Sequence, residues 1–169
     1  MGDREGRQLI VNAAQCTGCL TCSLICAFVH EGRFSLARAR IRVSKDEASG
    51  TCVPTYCRHC EPAPCVTVCP TGALFHDESR RVDWDESLCI HCGQCVVACP
   101  FAAVEFEHDG RMLKCDLCHG REMPQCARFC TAGALLWIAP TQLTELQIRS
   151  LRERESKRVH NGGRRADSV

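Results

Sequence analysis

Cysteine spacing is the feature that most constrains this chain. Seventeen of its 169 residues are cysteines, and sixteen of them fall into four groups of four. Every group begins C-x2-C and ends C-x3-C, and only the spacing between these two pairs varies. In chain order the groups are Cys16, Cys19, Cys22, Cys26; Cys57, Cys60, Cys65, Cys69; Cys89, Cys92, Cys95, Cys99; and Cys115, Cys118, Cys126, Cys130.

This spacing predicts iron–sulfur clusters. The run C-x2-C-x2-C-x3-C, followed by proline at Pro100, is typical of bacterial two-cluster ferredoxins, in which the fourth cysteine binds the other cluster. A tight loop wraps three corners of a cubane, and the x3 step leads into a helical turn that points the fourth thiol away. Zinc needs only two C-x2-C pairs, and an odd cysteine count argues against complete disulfide pairing.

The composition also favours metal over a hydrocarbon core. Without the cysteines the apolar share falls to about 35%, below the usual ~45–50%. The first fifteen residues are charged and lack an apolar run of signal length, and no stretch reaches the ~18 apolar residues of a membrane span. We therefore expect a cytoplasmic protein. A net charge of +1 favours neither nucleic acid nor an acidic substrate, and no nucleotide or catalytic motif is present, so we expect no enzyme activity.

Repeated short apolar runs surround the cysteine groups and predict an α+β fold. Residues 73–75, 103–106 and 134–138 follow the last three groups, and residues 9–11 and 81–84 precede the first and third. Residues 41–43 and 51–54 predict a further hairpin, and His76 to Ser79 a turn. Together they predict ferredoxin-like modules with short strands and small helices.

Two pairings of the groups into clusters are compatible with the spacing. If groups two and three exchange their last cysteines, and groups one and four do the same around them, the modules are nested. The nested ligand sets are Cys16, Cys19, Cys22, Cys130 (cluster 1); Cys26, Cys115, Cys118, Cys126 (cluster 2); Cys57, Cys60, Cys65, Cys99 (cluster 3); and Cys69, Cys89, Cys92, Cys95 (cluster 4). The alternative pairs neighbouring groups, one with two and three with four.

Two stretches resemble a known family. VPTYCRHCEPAPCVTVCPTGAL at residues 53–74 resembles the second cluster loop of the four-cluster iron–sulfur subunits that accompany molybdenum and tungsten enzymes, including those of the dimethyl sulfoxide reductase type. KCDLC at residues 114–118 resembles the start of their fourth loop. The resemblance covers roughly residues 9–138. It implies the nested pairing and four [4Fe–4S] clusters that relay single electrons between a catalytic subunit and a second redox subunit or ferredoxin.

The chain departs from that family where Thr131 replaces the proline after the last cysteine and Ala27 follows the first group. These departures and the compact length make the chain most similar to the small subunit of tungsten aldehyde oxidoreductase. The alternatives are a free polyferredoxin, an electron-transfer subunit of a carbon monoxide dehydrogenase, hydrogenase or formate dehydrogenase system, and a zinc-stapled interaction module. Visible colour and about sixteen irons per chain would dismiss the zinc module.

The expected domain organisation follows the nested pairing. Residues 1–50 and 107–140 form an outer module, residues 51–106 an inserted two-cluster module, and residues 141–169 a basic tail. A helix is expected from Thr141 to about Val159, ended by the glycines at 162 and 163. It is either a solvated appendage or a docking helix for a partner or a second copy of this chain.

The remaining candidates lie close to the predicted ligands. Cys52, the odd cysteine, is expected to be buried in a strand without binding iron. Three histidines beside ligands are expected to shield sulfur or contact a partner, and two tryptophans to pack. Four cations are expected either to be solvated or to compensate cluster charge and raise the reduction potential. These residues are His59, His91, His119; Trp84, Trp137; and Arg58, Lys114, Arg121, Arg128.

Overall fold

Short antiparallel strand pairs make up most of the regular structure. The computed structural model describes residues 6–139 and 141–142, and these contain four two-stranded sheets, four α-helices and two 3-10 turns. The strands are β1 (Gln8–Val11), β2 (Ile41–Asp46), β3 (Thr51–Tyr56), β4 (Leu74–His76), β5 (Val82–Trp84), β6 (Val104–Phe106), β7 (Met112–Lys114) and β8 (Leu135–Ile138). The helices are α1 (Thr21–Glu31), α2 (Pro64–Thr67), α3 (Gln94–Ala98) and α4 (Gln125–Arg128), and the 3-10 turns are Ala13–Gln15 and Glu86–Leu88.

The first and last strands pair with each other. β1 and β8 are antiparallel, with Leu9 opposite Trp137. The buried Tyr56 hydroxyl at the end of β3 donates a hydrogen bond to the Leu9 carbonyl, so β3 is fixed to the same sheet. Everything between β1 and β8 is therefore enclosed by a pairing between distant parts of the chain.

The other three sheets are local hairpins: β2 pairs with β3, β4 with β5 and β6 with β7. In the β4–β5 turn the Asp77 carboxylate accepts hydrogen bonds from the backbone N–H groups of Ser79 and Arg81 and from the Arg81 guanidinium. An aspartate that binds the backbone two residues ahead is a common way to build such a turn.

The helices bring the cysteine groups together in pairs. α1, the longest, ends at Gly32, whose φ of 69° and N–H bond to the Phe28 carbonyl make a left-handed C-cap. α1 packs against α4, and α2 packs against α3. Groups one and four therefore face each other, as do groups two and three.

Cysteine side chains occupy much of the buried interior, which forms two sets of packed residues. The outer buried set contains five cysteines, with Leu9, Ile41 and Leu135 among its apolar members. The inner buried set contains Cys65 and Cys95 together with Leu74 and Val82. Cys99 packs against both sets and so marks the place where they meet.

A buried group of ions joins α1 to the β6–β7 turn. Glu31 at the end of α1 has only 5% of its side chain exposed and accepts from Arg111 at 2.9 Å and Arg38 at 3.4 Å. Glu107 accepts from the same two arginines, at 3.1 Å each. Two carboxylates and two guanidinium groups thus balance in charge at this junction.

The α+β prediction is confirmed in outline, and all seven predicted strands are present within one to three residues of the expected bounds. β4 begins at Leu74 rather than Ala73, and His76 belongs to the strand instead of the turn. β7 and the eleven-residue length of α1 were not predicted. Only Thr141 and Gln142 of the predicted terminal helix are described, and they are helical. The rest of that prediction lies outside the described residues. Within the described part of the chain, no helix has the length and apolar character needed to cross a membrane.

Candidate metal centres

All seventeen cysteines lie in the described part of the chain and are free thiols. Most are buried or half-buried, and only Cys19 and Cys92 are exposed. One exposed thiol therefore belongs to the first group and the other to the third.

Groups one and four lie beside each other. Burial raises the pKa of the Cys22 thiol on α1, and the nearby Cys19 and Cys130 thiols raise it further. Burial also raises the pKa of Cys118, where the approach of Cys26 adds to the effect. The last cysteine of each group thus lies within electrostatic range of the other group.

In groups two and three, the last cysteine of group three lies near thiols of group two. Burial raises the pKa of Cys57, with further contributions from Cys99 and Cys60 and opposition from Lys114. For Cys65, burial is again the largest cause, followed by the thiols of Cys57 and Cys99. Cys99, the last cysteine of group three, therefore lies among thiols of group two.

Thiols that belong to different predicted clusters also lie close to one another. Cys22 contributes to the raised pKa of Cys126, Cys57 to that of Cys115, and Cys65 to that of Cys95, with burial the largest cause each time. These three approaches connect the groups in a continuous series. Buried neutral thiols that lie close together become thiolates when a metal core supplies the compensating charge.

The backbone repeats the same conformation in each cysteine group. The residue immediately before the second cysteine has positive φ in all four groups: 69° at Gly18, 49° at His59, 55° at His91 and 55° at Leu117. Left-handed residues turn successive backbone N–H groups toward one concave side, an arrangement that suits anions. The spacing of the C-x2-C step therefore corresponds to one shared loop geometry.

Backbone N–H groups also point at several sulfurs. The donors are Arg40 N to Cys26 Sγ at 3.3 Å, Ala103 N to Cys99 Sγ at 3.4 Å, Leu117 N to Cys115 Sγ at 3.4 Å and Gln125 N to Cys118 Sγ at 3.5 Å. Such bonds stabilise thiolate character and tune iron–sulfur clusters. Sixteen clustered soft donors in shared loops fit [4Fe–4S] clusters better than isolated zinc sites.

A polar network that the sequence did not predict lies beside groups one and four. His30 approaches the Cys26 carbonyl at 2.8 Å through Nδ1 and the Asp116 carboxylate at 3.0 Å through Nε2. Arg40 donates to the same carboxylate at 3.2 Å. Burial alone would lower the pKa of His30, but the hydrogen bonds to Asp116 and Cys26 raise it to about 10. Ligand atoms of His30, Asp116 and Cys118 lie within 4.8 Å of one another, at the thiol assembly already described.

Lys114 is buried, so the solvated alternative for this residue is wrong. Its side chain donates to the Val82 carbonyl at 2.5 Å and the Cys115 carbonyl at 3.1 Å. These two carbonyl acceptors hold the ammonium in the interior. The sequence around Lys114 gave no sign of either acceptor. The other three predicted cations, Arg58, Arg121 and Arg128, are exposed.

The remaining candidates have structural contacts. His59 Nδ1 accepts from the Val82 N–H at 3.0 Å, and burial lowers the pKa of its imidazole to about 4. His91 packs edge-on against Phe106, and both His91 and His119 are exposed. Both tryptophans pack against the buried sets, as predicted.

Cys52 lies in β3 with 4% exposure, so its predicted burial in a strand is confirmed. Its side chain lies against Gly18 in the loop of the first group, where a Cβ on the glycine would be 2.7 Å from Cys52 Sγ.

Comparison with known proteins identifies a family model that matches more than half of the chain. Residues 48–138 match the model of the 4Fe-4S dicluster domain. This match contains groups two, three and four, and group one precedes it.

Three curated relatives match most of the chain. The putative electron transport protein YsaA of Escherichia coli is 39% identical over 76% of this chain and 87% of its own length. The electron transport protein HydN of the same species is 35% identical over 86% of this chain and 95% of its own. The thiosulfate reductase electron transfer subunit PhsB of Salmonella typhi is 33% identical over 72% of this chain and 69% of its own. The chain spans only 22–30% of the length of three further relatives.

Proposed function

The chain belongs to the 4Fe-4S dicluster domain family, and we propose that it is a non-catalytic electron-transfer subunit holding four [4Fe–4S] clusters on sixteen cysteines. Relatives matched over most of their length are named as electron transport proteins or as an electron transfer subunit, which supports the general function. The proposed count of four clusters goes beyond the matched family model, which describes a dicluster domain. It is supported by four cysteine groups with a common left-handed loop residue.

The proposed ligands follow the nested pairing. Cys130 completes cluster 1 with group one, and Cys26 completes cluster 2 with group four. Cys99 completes cluster 3 with group two, and Cys69 completes cluster 4 with group three. The observation that carries the pairing of groups one and four is the reciprocal approach of Cys130 to Cys22 and of Cys26 to Cys118. The β1–β8 pairing around the inner residues favours the outer and inserted modules as proposed.

Bound clusters would supply reversible one-electron chemistry, and this chain's residues would space and shield them. Cys22 approaches Cys126, Cys115 approaches Cys57, and Cys65 approaches Cys95, which favours the order 1–2–3–4. The two exposed thiols, Cys19 and Cys92, belong to the first and last clusters of that row. Electrons would therefore enter and leave at opposite ends of this row, while the two middle clusters would be shielded from solvent.

The partner would be a catalytic oxidoreductase containing molybdenum or tungsten, with a second redox subunit or ferredoxin at the other end. The loops at residues 53–74 and 114–118 support this class, and the compact chain favours tungsten aldehyde oxidoreductase within it. We place the complex in the cytoplasm and propose residues 141–169 as a contact for the partner or another copy. A free carrier is the second candidate, favoured by the 87% and 95% of YsaA and HydN that this chain covers.

Anaerobic purification tests these proposals together. The isolated chain should be coloured and contain about sixteen irons, four for each cubane. Affinity capture from its native cell, followed by mass spectrometry and metal analysis, should recover a catalytic subunit with tungsten or molybdenum. Recovery of the chain alone, with activity toward soluble reductases, would favour the free carrier.

The ligand assignment has its own test. Cys26→Ser should disturb the cluster built by Cys115, Cys118 and Cys126 and spare the inner pair. Cys52→Ala, at the cysteine outside the four groups, is the matched control and should keep all sixteen irons. Loss of the cluster at Cys57 in the Cys26 variant would show that the nested pairing is wrong.

A further inference from the structure

Lys114 brings a positive charge into the interior between two cysteine groups. Only 6% of the residue is exposed at the end of β7. Its Nζ donates to the carbonyl of Val82, whose side chain packs in the inner buried set with Cys65. It also donates to the carbonyl of Cys115, the first cysteine of group four. The ammonium is thus held by two carbonyls, one on each side.

No carboxylate of residues 6–139 forms an ion pair with this ammonium, whereas eleven contacts of that kind join other residues. A buried charge without a counter-charge is strongly unfavourable. An oxidised cubane with four thiolates carries two negative charges, so a bound cluster would supply the missing balance. The thiols of Cys57 and Cys65 lie within electrostatic range of Lys114.

His59 provides a second polar group directed into the same region. Its Nδ1 accepts a hydrogen bond from the Val82 N–H, so the neutral ring carries its proton on Nε2. That Nε2 atom is buried and has no hydrogen-bond partner among the described residues. An N–H donor left without an acceptor is costly, and cluster sulfur is an acceptor. His59 immediately precedes Cys60, a proposed ligand of cluster 3.

We propose that Lys114 and His59 raise the reduction potential of the cluster at Cys57, Cys60, Cys65 and Cys99 above that of its neighbour at Cys69, Cys89, Cys92 and Cys95. Reduction adds one negative charge to the cluster, and a buried cation and an N–H donor both stabilise the added charge. At Cys95 of the neighbouring cluster, the charged groups that contribute most to the raised thiol pKa are the thiols of Cys65 and Cys89, and no cation in the described part of the chain is among the leading contributors. An electron on the surface-facing cluster would therefore move inward, oxidising that cluster and reducing the inner one. This inference rests on the proposed function.

An anaerobic redox titration followed by electron paramagnetic resonance tests the proposal. Lys114→Gln removes the charge and keeps an N–H donor. One of the four one-electron steps should move to lower potential. The shift should be about tenfold in the ratio of oxidised to reduced cluster, or about 59 mV for one electron. Lys114→Arg keeps the charge and should leave that step near its original potential.

Matched variants identify the step and exclude a general charge effect. Cys60→Ser should alter the same step that Lys114→Gln moves, and Cys92→Ser should alter a different one. Arg121→Gln removes an exposed cation near Cys118 and should cause a smaller shift, because water and salt screen it. An unmoved titration, a common shift of all four steps, or an equal effect of the Arg121 variant would overturn the proposal.

A second substitution decides the matter if Lys114→Gln fails to hold four clusters. His59→Leu removes the N–H donor at a position whose φ of 49° resembles the 55° of Leu117 in group four, so the backbone can accept leucine. The step assigned by Cys60→Ser should again move to lower potential, and no movement would overturn the proposal. Wild-type protein with fewer than four reversible steps would instead contradict the proposed function.

Discussion

Replacing Gly18 with alanine tests how closely β3 packs on the first cysteine group. A Cβ at this position would lie 2.7 Å from Cys52 Sγ, too close for ordinary contact. The φ of 69° does not by itself require glycine, because His59 and Leu117 adopt similar angles at the equivalent place in their groups. The buried thiol of Cys52 is therefore the main reason that this loop needs a glycine.

The expected cost has two parts. A left-handed alanine costs about 1–2 kcal/mol, and overpacking against a buried side chain adds about 1–3 kcal/mol. Gly18→Ala should therefore destabilise the loaded protein by about 2–5 kcal/mol. Gly72 is the matched control, since its φ is 70° and a Cβ added there would have nothing within 4 Å. Gly72→Ala should show only the backbone part, about 1–2 kcal/mol.

A double-mutant cycle isolates the contact. Cys52→Ala removes Sγ, so in the Gly18→Ala background it should recover about 1–3 kcal/mol. The assay is anaerobic guanidinium unfolding of iron-loaded protein, with circular dichroism for the fold and visible absorbance for the clusters. Equal costs for the two glycine variants, or no coupling between Gly18 and Cys52, would refute the packing argument.

Three further expectations concern the ion group, the β4–β5 turn and the iron. Glu31→Gln removes a buried carboxylate from two partly exposed guanidinium groups and should lower stability by about 1–3 kcal/mol, whereas Glu47→Gln at an exposed pair should have no measurable effect. Burial raises the pKa of Asp77, but hydrogen bonds from Arg81 outweigh it and lower that pKa overall. The stabilisation is therefore complete above the ordinary carboxyl pKa and lost as pH falls through the lower folded value. The melting-temperature difference between wild type and Asp77→Asn should thus stay constant between about pH 6 and about pH 8, and a changing difference would contradict the assignment. Anaerobic chelation of iron should abolish cooperative unfolding, since cysteines fill much of the interior, and a retained calorimetric transition would argue against this.

Local spacing explains why so much of the fold was predictable. The cysteine groups and the strands beside them depend on residues close in sequence, and each repeats in several copies. β7 was missed because its three residues end in Lys114, which looks like a surface position. Burial of that lysine depends on the Val82 carbonyl, 32 residues away.

The polar networks around the thiols could not be predicted for the same reason. His30 and Asp116 are 86 residues apart and meet only because α1 and the fourth group pack together. Glu31 ends a helix, where an acidic residue is normally solvated, yet it is buried by arginines from two other segments. No periodic pattern in the sequence predicts either contact, so only the three-dimensional arrangement identifies these residues.

The buried cation also bears on the order of folding and cluster assembly. Lys114 occupies an interior without a carboxylate partner among the described residues, and the thiols near it have their pKa raised by burial, so they are neutral in the iron-free chain. Folding without iron would therefore bury a positive charge that nothing balances. Loading of the proposed clusters would change the same thiols to thiolates and provide the balance. Metal binding and burial of Lys114 thus favour each other, and the packed interior around Lys114 is expected to form together with the clusters rather than before them.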